Sequence, residues 1–422
     1  MKHNCFYPAD ILLPDFEKVD GTRWSAVACD QYTAQPAYWE AAESLVEDAP
    51  STLRTILPEI YLKEADERIP AIREAMVEYL NGLLGCYPKS MILVDRTLAD
   101  GTHRKGLVGM IDLEDYDFHP GSDALIRATE ETVPDRIPPR TIIRRGAPME
   151  LPHVMMLIDD AEKTVIEPLF ENTEGLPVVY DYDLMLNSGH LKGYLITEEM
   201  QTQVLSALDA LASSEVMEKK YNRAGLAPLL FAVGDGNHSL AAAKTCYEEL
   251  KEKYGDAARE HPMRYALCEV VNLYDESLQF EPIFRVMFNV DPYRVAEDFK
   301  AYAASLQGDG EPQSVRLCRG SFDELVTIPH PVSTLAVGTV QNFINQCLAE
   351  NRYEGAEVDY IHGEAVAISL GGGEGALAFL FCGMEKEELF PTVIFDGSLP
   401  RKTFSMGHAS DKRFYTEARR LG

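Results

Sequence analysis

One hexapeptide constrains this chain more than any other stretch: Gly234-Asp235-Gly236-Asn237-His238-Ser239. Before it runs Leu226–Val233, apolar and strand-like. After it runs Leu240–Leu250, with the alanines, leucines and glutamates of a helix. The stretch therefore reads as strand, tight turn, helix. Gly234 and Gly236 permit positive φ and let a ligand approach bare backbone. Asn237 is expected to cap the helix, with Ser239 as a further donor. Such a helix start presents unpaired N–H groups and the positive end of the macrodipole, an anion site for which phosphate is the usual guest. Asp235 stands where a carboxylate holds Mg²⁺ or acts as a base, and His238 can donate to a phosphoryl oxygen. The same residues also serve as a plain helix cap without any ligand.

The rest of the composition narrows the partners. The chain has 422 residues, enough for two domains, and a net charge of −29. Nucleic acid and anionic membranes require a basic face, so neither is expected as a partner. The eight cysteines are scattered without C-x-x-C spacing. Met1–Pro14 lacks the long apolar core of a secretory signal, and no apolar run is long enough to span a bilayer. A cytoplasmic location with reduced thiols is the expectation. The histidines show no zinc-ligand spacing.

Along the chain, Ile11–Leu13 and Trp24–Cys29 read as buried strands. Asp30 follows in the polar loop Cys29-Asp30-Gln31-Tyr32, either as a functional residue or as the cap of a helix over 36–45. Glu64–Leu84 is an amphipathic helix. Met91–Val94 and Gly106–Ile111 read as a hairpin, and His153–Ile158 with Lys163–Leu169 as another. Arg127, Arg136, Arg140, Arg144 and Arg145 interleave with Glu130, Glu131 and Asp135. That run is either an anion clamp or a surface ion-pair network. Arg264–Tyr274 and Leu278–Val290 are strands, and Pro282 places the second at an edge or bulge. Glu269, Asn272 and Arg285 are polar residues inside them. After Asp291 the elements shorten into a second α/β unit. Arg401 and Lys402 lie beside Thr403 and Ser405, a further candidate anion contact. The fold expected is α/β with mixed sheets, because early hairpins break βαβ alternation. The division expected is a first domain over 1–290 and a smaller one over 291–422.

Several of these stretches resemble the bacterial and archaeal domain-of-unknown-function family ten-fifteen. The resemblance rests on Gly234–Ser239 with its helix, Arg264–Tyr274, Leu278–Arg285, Gly397–Phe404 and the segment Arg127–Thr132. That family is in turn similar to the ParB and sulfiredoxin superfamily, whose members place a nucleotide phosphate on an Asp-Gly-His-His-Arg turn. One branch comprises free L-serine kinases. The resemblance implies a ParB/sulfiredoxin-like core with large insertions, and a phosphate or nucleotide site at Gly234, Gly236, Asn237 and Ser239. It also implies Mg²⁺ and an adenine nucleotide, ADP or ATP, as cofactors. Ser239 stands where the pattern has arginine, so a cation must come from elsewhere. Arg127, Arg144, Arg285 and Lys402 are the candidates. Asp30 and Glu130 are the candidates for a base or a substrate contact.

The leading expectation is phosphoryl transfer to or from a small hydroxylated metabolite, free L-serine or phosphoserine first, with Asp235 and His238 as catalytic groups. A nucleotide-binding regulatory or interaction protein without turnover, or a phosphomonoesterase, are the alternatives. Sulfiredoxin-like thiol chemistry requires a cysteine in the turn. None is there, and Cys246 lies about two helical turns away.

Overall fold

A computed structural model of the chain describes residues 5–33, 35–130, 137–320 and 322–422. The polypeptide divides into two compact units. The first comprises Met1–Ala128, Thr132–Leu278 and His408–Gly422, and the second Thr129–Glu131 with Gln279–Gly407. The expected boundary at residue 290 differs from this division, which also sets Thr129–Glu131 with the second unit. The strand Phe280–Phe288 belongs with the second unit, because it pairs there with Glu357–His362 and Leu377–Phe381. The last fifteen residues return to the first unit.

The first unit is built on one mixed sheet. Among the described residues its path runs Val178–Asp183, His190–Leu195, Ile92–Thr97, His103–Asp112, Tyr265–Asn272, Met155–Ile158, Phe231–Asp235, Ile126–Ala128 and Tyr116–Asp117. The hairpin neighbours are antiparallel, whereas Phe231–Asp235 runs parallel to Ile126–Ala128 and Tyr265–Asn272 parallel to Met155–Ile158. The architecture is therefore mixed α/β. Both faces are covered. Ile92 and Val94 enter one apolar cluster, and Met91 and Leu93 enter another. That alternation is the two-residue period of a strand.

The helix Asn237–Tyr254 lies on the second of these clusters through Leu240, Ala243 and Tyr247. Its other flank packs against the helix Ile137–Arg144. The strand before it is buried at Phe231, Ala232 and Val233. Strand and helix are thus each fixed by apolar burial, and the turn between them has no freedom to drift.

Two expected elements differ. Trp24–Cys29 is not a ladder strand. Trp24 closes a short helix, Gly21–Trp24, capped by the Asp20 carboxylate. The following residues are extended and bond to the C-terminal segment: Ala28 N–H donates to the Arg413 carbonyl at 3.0 Å, and Tyr415 N–H to the Ala26 carbonyl at 2.8 Å. Lys163–Leu169 is likewise no strand. The Asp160 carboxylate accepts from the N–H groups of Thr164 (2.6 Å) and Val165 (2.9 Å), which turns the chain into the helix Glu167–Phe170. A side chain has taken the donors a ladder would need.

The second unit carries a smaller sheet, ordered Phe322–Ile328, Gln313–Arg319, Leu377–Phe381, Phe280–Phe288 and Glu357–His362. The helices Pro292–Ser305 and Ala336–Ala349 cover it, with Phe299 and Phe343 meeting Phe379. Pro282 stands one residue before the pairing with Glu357–His362 begins, so its missing N–H costs no ladder bond on that side.

Candidate functional site

The turn is tighter than the sequence suggested. Gly236, not Asn237, is the N-cap, at φ 81° and ψ 24°. A Cβ on Gly236 would stand 3.2 Å from Val154 as well as in the left-handed region, so glycine is required twice over. Asn237 begins the helix, and its side-chain amide reaches back to the Val233 carbonyl at 3.4 Å. The cap residue, being glycine, supplies no capping side chain of its own. The positive dipole end of the helix lies at the mouth of the turn.

Around that helix start the first unit gathers polar groups from four distant stretches. Asp235 Oδ1 accepts the Gly236 N–H at 2.9 Å, and its Oδ2 lies 3.4 Å from Lys412 Nζ. Ser239 Oγ is 3.4 Å from His153 Nε2, and Asp30 Oδ2 is 3.9 Å from the same nitrogen. On the other side of the ring, His153 Nδ1 is 2.7 Å from the Tyr415 hydroxyl. That hydroxyl also accepts the Cys29 N–H at 3.2 Å. Burial, with Cys29 and Asp30 nearby, pushes the Tyr415 pKa well up, so it keeps its proton. The other ring nitrogen, Nε2, faces Ser239 and Asp30.

The Asp30 carboxylate is three-quarters buried, and burial pushes its pKa up. His153, the Gln31 amide, Lys412 and Arg140 outweigh that and hold it below the usual carboxylate value. Asp30 is therefore ionised, next to a histidine and close to the helix start. Cys29 precedes it, and burial together with Asp30 pushes its thiol up to about 11. The turn has no cysteine, and the cysteine that does approach the site is held as a thiol. Both facts oppose thiolate chemistry.

The structure distributes the other sequence candidates unevenly. Arg144 reaches the site's wall, where its Nη2 lies 2.6 Å from Glu150 Oε2. Arg127 is turned away from the turn. It is buried and donates to the carbonyls of Ala124, Ala227 and Pro228, at the end of the strand opposite the turn. Arg285 lies fully buried in the second unit, where its donors go to Gln341, Ile283, Lys402 and Arg401. Lys402 is exposed in that unit, its Nζ 5.3 Å from the centre of the Tyr360 ring. Glu130 is also in that unit and bridges to Leu399. His238 is half-buried in the first turn of the helix. Arg136, Glu131, Thr132 and Asp135 lie outside the described residues. Arg140 pairs with Glu59, and Arg145 with Glu249.

Sequence reasoning missed His153, Lys412 and Tyr415. His153 had one local signal, a histidine at the mouth of an apolar strand. Lys412 and Tyr415 had none, because only the folded return of the C-terminal segment brings them to the turn. Among the described residues, no three metal-ligating side chains cluster, and no helix is long and apolar enough to cross a membrane.

A family model described as "Protein of unknown function (DUF1015)" matches residues 13–347. The chain belongs to this family. No curated protein matches the DUF1015 chain. Among solved structures it is similar to a conserved hypothetical protein from Pyrococcus furiosus, with 12% identity over 74% of this chain and 94% of that one and a TM-score of 0.35. It is similar to a free serine kinase variant in complex with AMP, with 11% identity over 74% and 91% and a TM-score of 0.38. It is similar to C-terminally truncated SbnI from Staphylococcus aureus, with 8% identity over 73% and 85% and a TM-score of 0.36.

Proposed function

We propose that this DUF1015 chain is a phosphotransferase acting on a small hydroxylated metabolite, with an adenine nucleotide as the phosphoryl partner. One observation carries the reading. An ionised aspartate, a histidine and a lysine converge on a helix start behind a glycine turn. Phosphoryl transfer requires positioning and charge stabilisation more than covalent chemistry, and this arrangement offers both. The helix N–H groups of Asn237–Ser239 receive the phosphate. Lys412 offsets charge in place of the arginine that the ParB-like pattern would carry. Asp30 takes the proton of the attacking hydroxyl, and His153 orients that hydroxyl from Nε2.

Mg²⁺ binds through one or two carboxylates completed by phosphate oxygens and water. Asp235 suits that role together with a nucleotide, and a metal held by protein alone is not what the site offers. When bound, the ion neutralises phosphate charge during transfer. Free L-serine and phosphoserine are the first substrates to test, in opposite directions. ³¹P NMR with ADP or ATP, Mg²⁺ and each substrate reads both. A phosphomonoester that appears or vanishes with the native protein, and not with Asp30→Asn, supports the proposal. Hydrolysis without nucleotide indicates a phosphomonoesterase. Nucleotide binding without turnover indicates a regulatory protein. Either of those outcomes overturns the phosphotransferase reading.

A further inference from the structure

The second unit gathers positive charge around one tyrosine ring. Arg285 stands directly opposite Tyr360 in the sheet register, and Tyr360 lies on the edge strand Glu357–His362. Residues opposite each other in a ladder share a face, and the Arg285 guanidinium lies 4.8 Å from the centre of the Tyr360 ring. Arg285 is sealed in the core and donates to the carbonyls of Lys402 (2.9 Å) and Arg401 (3.0 Å). Both carbonyls are thereby pinned. Lys402 takes a left-handed backbone, φ 53°, that few residues other than glycine adopt. So fastened, the turn sends both of its cations to the same ring: Arg401 lies 5.0 Å and Lys402 5.3 Å from its centre.

Two guanidiniums and an ammonium thus surround one ring, and they repel one another. Burial pushes the Arg285 pKa down to about 10; Arg401 adds to the fall, while Tyr360 and Glu130 oppose it. Among the described residues none of the three cations forms an ion pair with a carboxylate. With 68 acidic residues against 39 lysines and arginines, such a cluster is unexpected, and Lys300, Arg316 and Arg352 of the same unit are each paired. A cation–π contact compensates only part of a charge. Arg401 and Lys402 are exposed. Arg401 Nε donates to the Tyr360 hydroxyl at 3.0 Å, and its two Nη groups make no hydrogen bond among the described residues. The Tyr360 hydroxyl accepts there, which leaves its own hydrogen for an acceptor. The two hydroxyls next in sequence are already used. Thr403 Oγ1 donates to the Pro400 carbonyl at 2.7 Å, and Ser405 Oγ to the Gly407 carbonyl at 3.1 Å.

We infer that the turn Pro400–Thr403 binds a phosphate-bearing small molecule, held by the Arg401 fork, the Lys402 ammonium and the Tyr360 hydroxyl. Several positive charges favour a dianion over a single carboxylate, and guanidinium and ammonium both match phosphate oxygens. A net charge of −29 opposes nucleic acid as the carrier of that phosphate. Arg285 does not touch the ligand; it holds the turn. All four residues belong to the second unit, so the site draws nothing from the Gly236 turn and does not rest on the proposed function.

Acetylation of the full chain by an N-hydroxysuccinimide ester, followed lysine by lysine in a mass spectrometer, reads the site at Lys402 itself. Millimolar pyrophosphate is expected to slow Lys402 acetylation about tenfold and to leave Lys219, exposed in the first unit, unchanged. Acetate at equal ionic strength is expected to protect neither. Arg401→Gln should remove most of the protection. The comparison on the native chain needs no variant, so it stands even if Arg401→Gln does not fold. A Lys402 rate that pyrophosphate leaves unchanged overturns the inference. Equal protection by acetate overturns it too, because the turn would then take any anion.

Discussion

At the scale of single residues, the central relation is between Asp30 and His153. Their separation of 3.9 Å leaves room for a hydroxyl to bridge them, and the Tyr415 contact at 2.7 Å fixes the ring. Removing a group that accepts a proton in the transition state costs roughly a hundredfold or more. Asp30→Asn is therefore expected to lower kcat by at least that factor with little change in KM for nucleotide, read by coupled assay. Tyr415→Phe should cost less, because it frees the ring and does not remove it. Asp30 also sets a pH dependence. Its folded pKa lies below the usual 3.8, since His153, Gln31, Lys412 and Arg140 outweigh its burial. Its contribution to stability is present above the unfolded value and is lost as pH falls through the folded one. Acid unfolding of Asp30→Asn should accordingly show a shallower fall below about pH 4 than the native chain, by circular dichroism.

At the scale of elements, the turn and one hairpin make testable demands. Gly236 adopts φ 81° with Val154 against it, so Gly236→Ala should cost about 1–2 kcal/mol in urea unfolding, the price of a left-handed backbone for an L-residue. Gly101→Ala is the useful contrast, with φ 88° but open space around its Cβ, and should cost less. In the hairpin of Val178–Asp183 and His190–Leu195, His190 lies between Asp181 (2.7 Å) and Asp183 (2.8 Å). Burial lowers its pKa, but those two carboxylates outweigh it and raise the value above 6.5. The stabilisation is fully present below pH 6.5 and is lost as pH rises through the folded value. The site is partly solvated and screened, so the effect is on the order of 0.5 kcal/mol. His190→Gln should flatten the change in stability between pH 6 and pH 8, as followed by thermal unfolding.

At the scale of the whole molecule, the C-terminal segment closes the first unit. Arg413 is buried and donates to Glu269 (2.8 Å), Glu417 (2.6 Å) and the Pro152 carbonyl (2.5 Å), next to His153. Tyr180 adds a hydrogen bond to Glu417 at 2.6 Å. Arg413→Ala would leave two carboxylates buried without their cation, and should cost about 3–5 kcal/mol in urea unfolding. Deleting 408–422 removes Lys412, Arg413 and Tyr415 together and is expected to abolish both cooperative unfolding of this unit and nucleotide binding.

The sequence by itself determined the local events. The glycine turn followed from Gly236, which takes a left-handed backbone, whereas Gly234 stays in the strand Phe231–Asp235 without a positive φ; the mixed α/β architecture followed from hairpin signals beside helical periodicity. Asp30 was legible because a polar loop off an apolar run is a place where side chains stay accessible. Arg127 and Arg285 show the limit. A guanidinium in an apolar strand looks the same in sequence whether it meets a ligand or a row of carbonyls, and here both meet carbonyls. Trp24–Cys29 shows another. Its apolar pattern fixes burial, but its backbone partner is the segment near residue 414, and no local period encodes that pairing. Lys412 and Tyr415 reach Asp235 and His153 because the chain returns after 407 to bury Arg413 and Glu417. Short-range sterics wrote the turn into the sequence. The charges around it were placed by long-range burial, which only the tertiary structure decides.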